Sequence, residues 1–143
     1  MTTKEIIRNV LEDWKFPILK ETENCLVFRY QMNFIQANIT EGDDSNAVAL
    51  TLTGIFTADD AQEMFLGLRT CNDLNLNLLQ VKLYVDTDAD LVIASEFFYK
   101  TEEDMEYLLS MSLQSMVVAK KRFLQKYAEL EGEAKLLSEL EQE

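Results

Sequence analysis

The chain has 143 residues, of which 26 are acidic and 13 basic, so it carries a net charge of −13 at pH 7. That charge repels nucleic-acid phosphates and anionic membrane surfaces, which leaves a protein or peptide as the expected partner. The acidity either keeps a protein with an adhesive surface soluble or steers basic partners toward it. Apolar residues make up 48% of the sequence, which is enough for the core of one globular domain.

The composition also excludes most catalytic chemistry. The chain contains no histidine, the commonest general base and metal ligand, and it has neither a Walker nor a Rossmann glycine pattern. We therefore expect no enzyme, no cofactor and no metal site, although an enzyme that uses only carboxylates stays open. The cysteines, Cys25 and Cys71, lack CxxC spacing, and we expect reduced thiols over a disulfide.

The N-terminal segment places apolar residues at helical spacing between positions 2 and 14 and predicts an amphipathic helix. Pro17 ends this helix, because the residue before a proline is pushed into an extended conformation. The segment lacks the pattern of a signal peptide, and no apolar run reaches the roughly 20 residues of a membrane span. We expect a cytoplasmic protein whose mature chain starts near Met1.

Residues 18–56 change to period-two alternation. Apolar and polar side chains alternate in segments 26–31, 35–40 and 48–56, which predicts a three-stranded antiparallel meander with one apolar face.

A second helix is predicted from Thr57, taken as its N-cap. Its apolar stripe comprises Ala61, Met64, Phe65, Leu68 and Cys71. The Asn-rich segment 72–77 then serves as a helix exit and crossover, since asparagine tolerates left-handed backbone.

Segment 81–86 alternates again, and together with a strand over 91–99 after an acidic turn it predicts a two-stranded hairpin. The turn between them, Asp86–Asp90, matches the first three ligand positions of a calcium loop. The match fails at Leu91 and Phe97, where a glycine and a glutamate would be needed, so the segment is interpreted as a polar turn.

A long C-terminal helix follows Thr101, with an apolar band wider than one sheet contact requires. We expect a single α+β domain over residues 1–128 and a glutamate-rich tail over 129–143 that is either helical or disordered, because Gly132 weakens helix continuity. The wide band and the aromatic end of the preceding strand suggest an interaction surface. Its candidate residues are Phe97, Phe98, Tyr99, Met105, Leu109, Met116 and Phe123.

The order of these elements, helix, three strands, helix, two strands and long helix, resembles the YbjN-type family, whose fold is similar to that of type III secretion chaperones. The resemblance is carried by Cys71–Asn75, Val81–Asp86, Asp88–Val92 and Asp104–Leu113, and it spans roughly residues 5–127. The family offers no catalytic residue to carry over. The resemblance implies a non-enzymatic interaction module, chaperone-like or regulatory, that is often dimeric.

The leading hypothesis is therefore a cytoplasmic homodimer that binds a protein or peptide partner and neither nucleic acid nor membrane. The alternative is a small-molecule or metal-binding regulatory domain that uses carboxylates of the turn at residues 86–90.

Overall fold

In a computed structural model that describes residues 1–142, one six-stranded antiparallel sheet carries three helices on a single face. The strand order is β1-β2-β3-β4-β6-β5. The strands are β1 (Ile18–Thr22), β2 (Cys25–Tyr30), β3 (Asn33–Glu41), β4 (Asn46–Leu52), β5 (Lys82–Val85) and β6 (Leu91–Tyr99). The helices are α1 (Thr3–Asp13), α2 (Ala61–Asn75) and α3 (Glu102–Glu141).

The α+β class and the order of helices and strands predicted from the sequence are confirmed. The meander, however, contains four strands rather than three, because β1 was missed. This strand lies at the edge of the sheet, four of its five residues are exposed, and its pairing with β2 is irregular between Ile18 and Lys20. An exposed, bulged edge strand has no alternation of buried and exposed residues, which is the signal that sequence patterns provide.

Helix α2 begins later than predicted, and its buried face is a different one. Asp60 rather than Thr57 is the N-cap, and its side chain accepts a hydrogen bond of 2.8 Å from the Glu63 amide. Phe65 and Leu68 of the predicted stripe are exposed. The buried residues of α2 are Leu66, Gly67, Thr70 and Cys71.

The close approach of α2 to its neighbours explains this change of face. A Cβ atom at Gly67 would lie 3.0 Å from a ring carbon of Phe56, so only a residue without a side chain fits there unaltered. Gly67 and Thr70 therefore lie on the contact face beside Leu66 and Cys71, whereas Phe65 and Leu68 of the predicted stripe point outward. The Phe56 ring in turn packs against Phe123 and Tyr127 of α3, with ring centroids 5.4 and 4.8 Å away.

Helix α3 is 40 residues long, about 60 Å at 1.5 Å per residue, and it runs through Gly132 into the glutamate-rich tail. It contacts β6, α1 and α2, and its last buried residue is Leu130. Beyond that point, Leu136, Leu137 and Leu140 are exposed.

Two buried polar contacts tie distant parts of the chain together. The hydroxyl groups of Thr3 at the start of α1 and Tyr99 at the end of β6 form a hydrogen bond. Ser95 in β6 and Ser112 in α3 form another, with 2.9 Å between their Oγ atoms. Among residues 1–142, no helix combines the length and the apolar character needed to cross a bilayer.

Candidate protein-interaction surfaces

The residues predicted to form an interaction surface lie mostly in the core. Met105, Leu109, Met116 and Phe123 have no exposed surface, and Phe97 and Tyr99 are also buried. Phe98 alone of the predicted set is accessible, at 72% exposure. The apolar band of α3 is wide because this helix lies against the sheet and between two other helices, so several of its sides are covered.

The sheet itself leaves a second face without a covering element. In the register of the strands, Val27, Gln36, Thr51, Ala94 and Lys82 form one row across β2, β3, β4, β6 and β5. None of these side chains belongs to the core between sheet and helices. We call this side of the sheet the open face.

Small side chains occupy the middle of the open face, and aromatic rings lie toward its periphery. Ala47, Ala49 and Thr51 follow one another on β4 and are half-buried, so the centre is flat. Phe34 on β3 is 61% exposed and Tyr84 on β5 is 41% exposed. Together with Phe98 on β6, they give the open face three accessible aromatic side chains.

Basic residues outnumber acidic residues on the open face, whereas the chain as a whole is acidic. Lys20, Arg29 and Lys82 belong to this face by strand register, against one acidic residue, Glu96. The ammonium group of Lys82 lies 2.6 Å from a carboxylate oxygen of Glu96. This hydrogen bond and the negative charge of Glu96 raise the pKa of Lys82.

A groove lies at the other side of the molecule, between the end of α1 and the first turns of α3. It has a volume of about 310 Å³ and is lined by Trp14, Phe16, Tyr30, Ser110 and Leu113. A second depression of about 460 Å³ shares Trp14 and Ser110 with it. This second part adds Glu103, Glu106 and Tyr107 to the lining. We call the two parts together the aromatic groove.

The end of α1 fixes the aromatic side chains of this groove. Lys15 adopts a left-handed conformation with φ of 62°, its amide donates to the Glu12 carbonyl, and the Phe16 amide donates to the Leu11 carbonyl at 2.9 Å. These two bonds form the Schellman arrangement that commonly ends a helix. The reversal brings the Trp14 and Phe16 rings to a centroid distance of 5.6 Å.

The acidic turn, Asp86–Asp90, brings three carboxylates together, with ligand atoms of Asp86, Asp88 and Asp90 within 4.8 Å of one another. Two of the three carboxylates, those of Asp86 and Asp90, already have partners in the fold, whereas Asp88 is exposed. Asp86 Oδ1 accepts from the amides of Asp88 and Asp90 at 2.9 and 3.0 Å, and an Asp90 oxygen accepts from the Thr57 hydroxyl. The carboxylates therefore close the β5–β6 hairpin and join it to the segment before α2.

Asn75, from the Asn-rich crossover, holds the outer edge of β5. Its side-chain oxygen accepts from the Leu83 amide and its side-chain nitrogen donates to the Leu83 carbonyl, each at 2.9 Å. The side-chain amide thus replaces a neighbouring strand at the edge of the sheet.

The two thiols have different environments. Cys71 is buried, and burial raises its pKa to about 11, whereas Cys25 is half-exposed on the open face. Neither forms a disulfide in the part of the chain that the structure describes.

Sequence reasoning missed the aromatic groove and the rings of Phe34 and Tyr84. The sequence does contain a weak signal for the groove, since Trp14 and Phe16 flank a helix end. Their partners Ser110 and Leu113 lie almost a hundred positions later, and only the fold brings them together.

No family model and no curated protein matches the sequence. Solved structures do match the fold. One is YbjN from E. coli, a candidate transcription regulator, with a TM-score of 0.60 at 14% identity, covering 90% of this chain and 94% of YbjN. The fold is YbjN-like.

Two further solved structures share the architecture. An uncharacterized protein from Methanothermobacter thermautotrophicus matches with a TM-score of 0.54 at 17% identity, covering 90% of this chain and 98% of that protein. The Yersinia pestis type III secretion chaperone SycH, solved with a stable fragment of YscM2, matches with a TM-score of 0.50 at 9% identity. That alignment covers 82% of this chain and 99% of SycH. The YbjN-like fold is thus also similar to that of a secretion chaperone.

Proposed function

We propose that this protein is a cytoplasmic, non-enzymatic interaction module, chaperone-like or regulatory, that binds an apolar segment of a protein partner and forms a homodimer. The observation that carries the proposal is the open face: a six-stranded sheet covered by helices on one side only, with exposed aromatic rings on the other.

The exposed rings can supply useful binding energy. Phe98 and Phe34 are 72% and 61% exposed. An aromatic side chain buries about 150–250 Å² when fully covered. At about 25 cal/mol per Å², a partner that covered either ring would gain on the order of 3 kcal/mol before the costs of association. The rings of Phe98 and Phe34, together with the flat surface formed by the small side chains of β4, favour a partner with protruding apolar groups.

The comparison with SycH supports the same class of function. That chaperone has a protein fragment bound, and its fold is similar to the present one. The absence of histidine and of a glycine-rich phosphate loop also argues for a binding protein over an enzyme.

The partner proposal is tested by placing a charge on the open face. Phe98→Asp and Phe34→Asp change exposed side chains and should leave the fold intact, while a control, Gln62→Asp, places the same charge at an exposed polar position of α2, on the helix side of the sheet. Affinity capture from the native cytosol should recover a defined client with the wild type and Gln62→Asp, and much less with either phenylalanine variant. Equal recovery with all four proteins would refute this role of the open face.

The homodimer is tested with the same variants by light scattering. We expect a dimer for the wild type and a monomer for Phe98→Asp if the rings form the dimer contact. Met116→Asp is unsuitable for this purpose, because Met116 is fully buried and a charge there would unfold the protein. A wild type that stays monomeric at all concentrations would remove the dimer from the proposal while leaving partner binding testable.

A further inference from the structure

We infer that the aromatic groove is a second docking site, and that its occupant is an arginine side chain of a protein partner. The groove lies between α1 and α3, on the helix side of the molecule, and is separate from the open face.

The rings offer faces to a ligand rather than to one another. Trp14 and Phe16 are tilted by 57°, and Phe16 and Tyr30 are tilted by 60° with centroids 5.2 Å apart. None of the three rings is stacked in parallel on its neighbour, and all three side chains are only partly buried and line the groove, so part of each ring is accessible to a ligand. A cation placed over such faces is attracted by the ring quadrupole, most strongly over tryptophan.

The charge of the groove is negative. Glu103 and Glu106 line it, and no basic residue does. Neither carboxylate forms an ion pair with another group of residues 1–142. The C-terminus of α1, which ends at Asp13 with Trp14 as its C-cap, adds the partial negative charge of the helix dipole.

Within the described chain, basic residues close to the groove in sequence form no ion pair with these carboxylates. Lys15 follows Trp14, and Lys100 precedes Glu103 by three positions, but both are exposed and neither lines the groove. Lys120 lies about two helical turns beyond Leu113 on α3, and its ammonium group donates to Asn33 at 2.7 Å. The groove therefore presents aromatic faces and unpaired carboxylates to an incoming group.

Arginine satisfies both features at once. Its planar guanidinium stacks on aromatic faces, and its forked N–H groups match a carboxylate, whereas lysine provides only a point charge. The methylene groups of its side chain suit the apolar wall that Leu113 provides. The net charge of −13 would steer a basic segment toward the molecule.

The chain contains its own probe for this site, since Trp14 is the only tryptophan. The probe ligand is a short Gly-Ser peptide with three spaced arginines, and its control is the same peptide with citrulline, the neutral analogue of arginine. Titration of the full chain with the arginine peptide should change Trp14 emission saturably, and added salt should weaken binding because the contacts are exposed. The citrulline peptide should produce no saturable change.

Charge-neutral variants locate the site. The double change Glu103→Gln with Glu106→Gln should weaken binding about five- to tenfold, as expected for the loss of two exposed ion pairs. The matched control, Glu139→Gln with Glu141→Gln, removes the same charge about 50 Å away along α3 and should change affinity less than twofold.

Each contrary result would overturn the inference. Equal weakening by the two double variants would mean that the net charge alone attracts the peptide. If the citrulline peptide bound with the same affinity as the arginine peptide, recognition of a cation would be excluded. If a lysine peptide bound equally well, arginine would be excluded as the preferred group. If Trp14 emission showed no saturable change with any peptide, the site itself would be excluded. Phe98→Asp should leave this titration unchanged, so failure here is distinguishable from failure of the open face.

Discussion

The side chain of Asn75 stabilises the exposed edge of β5, and its removal should therefore lower the stability of the fold. In Asn75→Ala, the Leu83 amide and carbonyl both lose a hydrogen-bond partner at 2.9 Å. Because β5 is the last strand of the sheet, no neighbouring strand can replace that partner.

The magnitude follows from the number of bonds and their exposure. A neutral hydrogen bond contributes about 0.5–1.5 kcal/mol net, so two would give about 1–3 kcal/mol. Asn75 lies at the surface and water can partly replace its amide, which favours the lower half of that range. We expect the free energy of unfolding to fall by about 1–2 kcal/mol, equivalent to roughly 3–8 °C in melting temperature for a domain of this size.

Two measurements test this reasoning. Urea unfolding followed by circular dichroism should show the loss in Asn75→Ala and no significant loss in Asn72→Ala, whose exposed side chain forms no hydrogen bond in the described part of the chain. Hydrogen exchange by NMR should show faster exchange of the Leu83 amide in Asn75→Ala. A Leu83 amide that stays protected, or equal destabilisation by the two variants, would refute the role assigned to Asn75.

Three other predictions concern thiol chemistry, backbone packing and the acidic turn. At pH 8 a thiol reagent should modify Cys25 and leave Cys71 intact in the native protein, because burial raises the pKa of Cys71 to about 11; modification of both at equal rates would contradict this. The pKa of Cys71 is raised above its usual value of 9.0, so the protonated thiol contributes stability below about pH 9. This contribution is lost as the pH rises toward 11, and urea unfolding at several pH values would detect the loss. Gly67→Val should destabilise the protein by about 2 kcal/mol or more, because its Cβ would lie 3.0 Å from the Phe56 ring, whereas Gly132→Ala meets no atom within 4 Å and should raise helicity without loss of stability. Calorimetric titration of the acidic turn with calcium, magnesium and manganese should give no heat of specific binding, because the Asp86 and Asp90 carboxylates are engaged in hydrogen bonds within the fold and only the exposed Asp88 carboxylate has no such bond among residues 1–142; a saturable heat would restore the metal-binding alternative.

The parts of the fold that the sequence predicts are those with a regular burial period. Residues of β3 alternate between buried and exposed, and so do the last residues of β6, where Phe98 lies outside the core. β1 lacks this signal because it is an exposed edge. In α2 the buried face includes Gly67 and Thr70 beside Leu66 and Cys71, and hydropathy does not identify the first two as buried.

The candidate surface could not be predicted for a related reason. A wide apolar band on α3 is compatible with either a free surface or coverage by several elements, and the sequence does not say how many elements surround a helix. The structure shows Met105 and Met116 fully buried among them. The aromatic groove has no local pattern, since its two walls come from the ends of the chain.

The position of β6 constrains the order in which the chain can fold during its synthesis. This strand is made after β5 but lies between β4 and β5, so the edge of β4 has no partner until residues 91–99 have been synthesised. Until then β4, with buried Val48, Leu50 and Leu52, presents an unpaired apolar edge of the kind that pairs with other chains. The hydrogen bond between Thr3 and Tyr99 also forms only after β6 has been made. A nascent chain that stops short of β6 would therefore lack both the complete sheet and this contact at the start of α1.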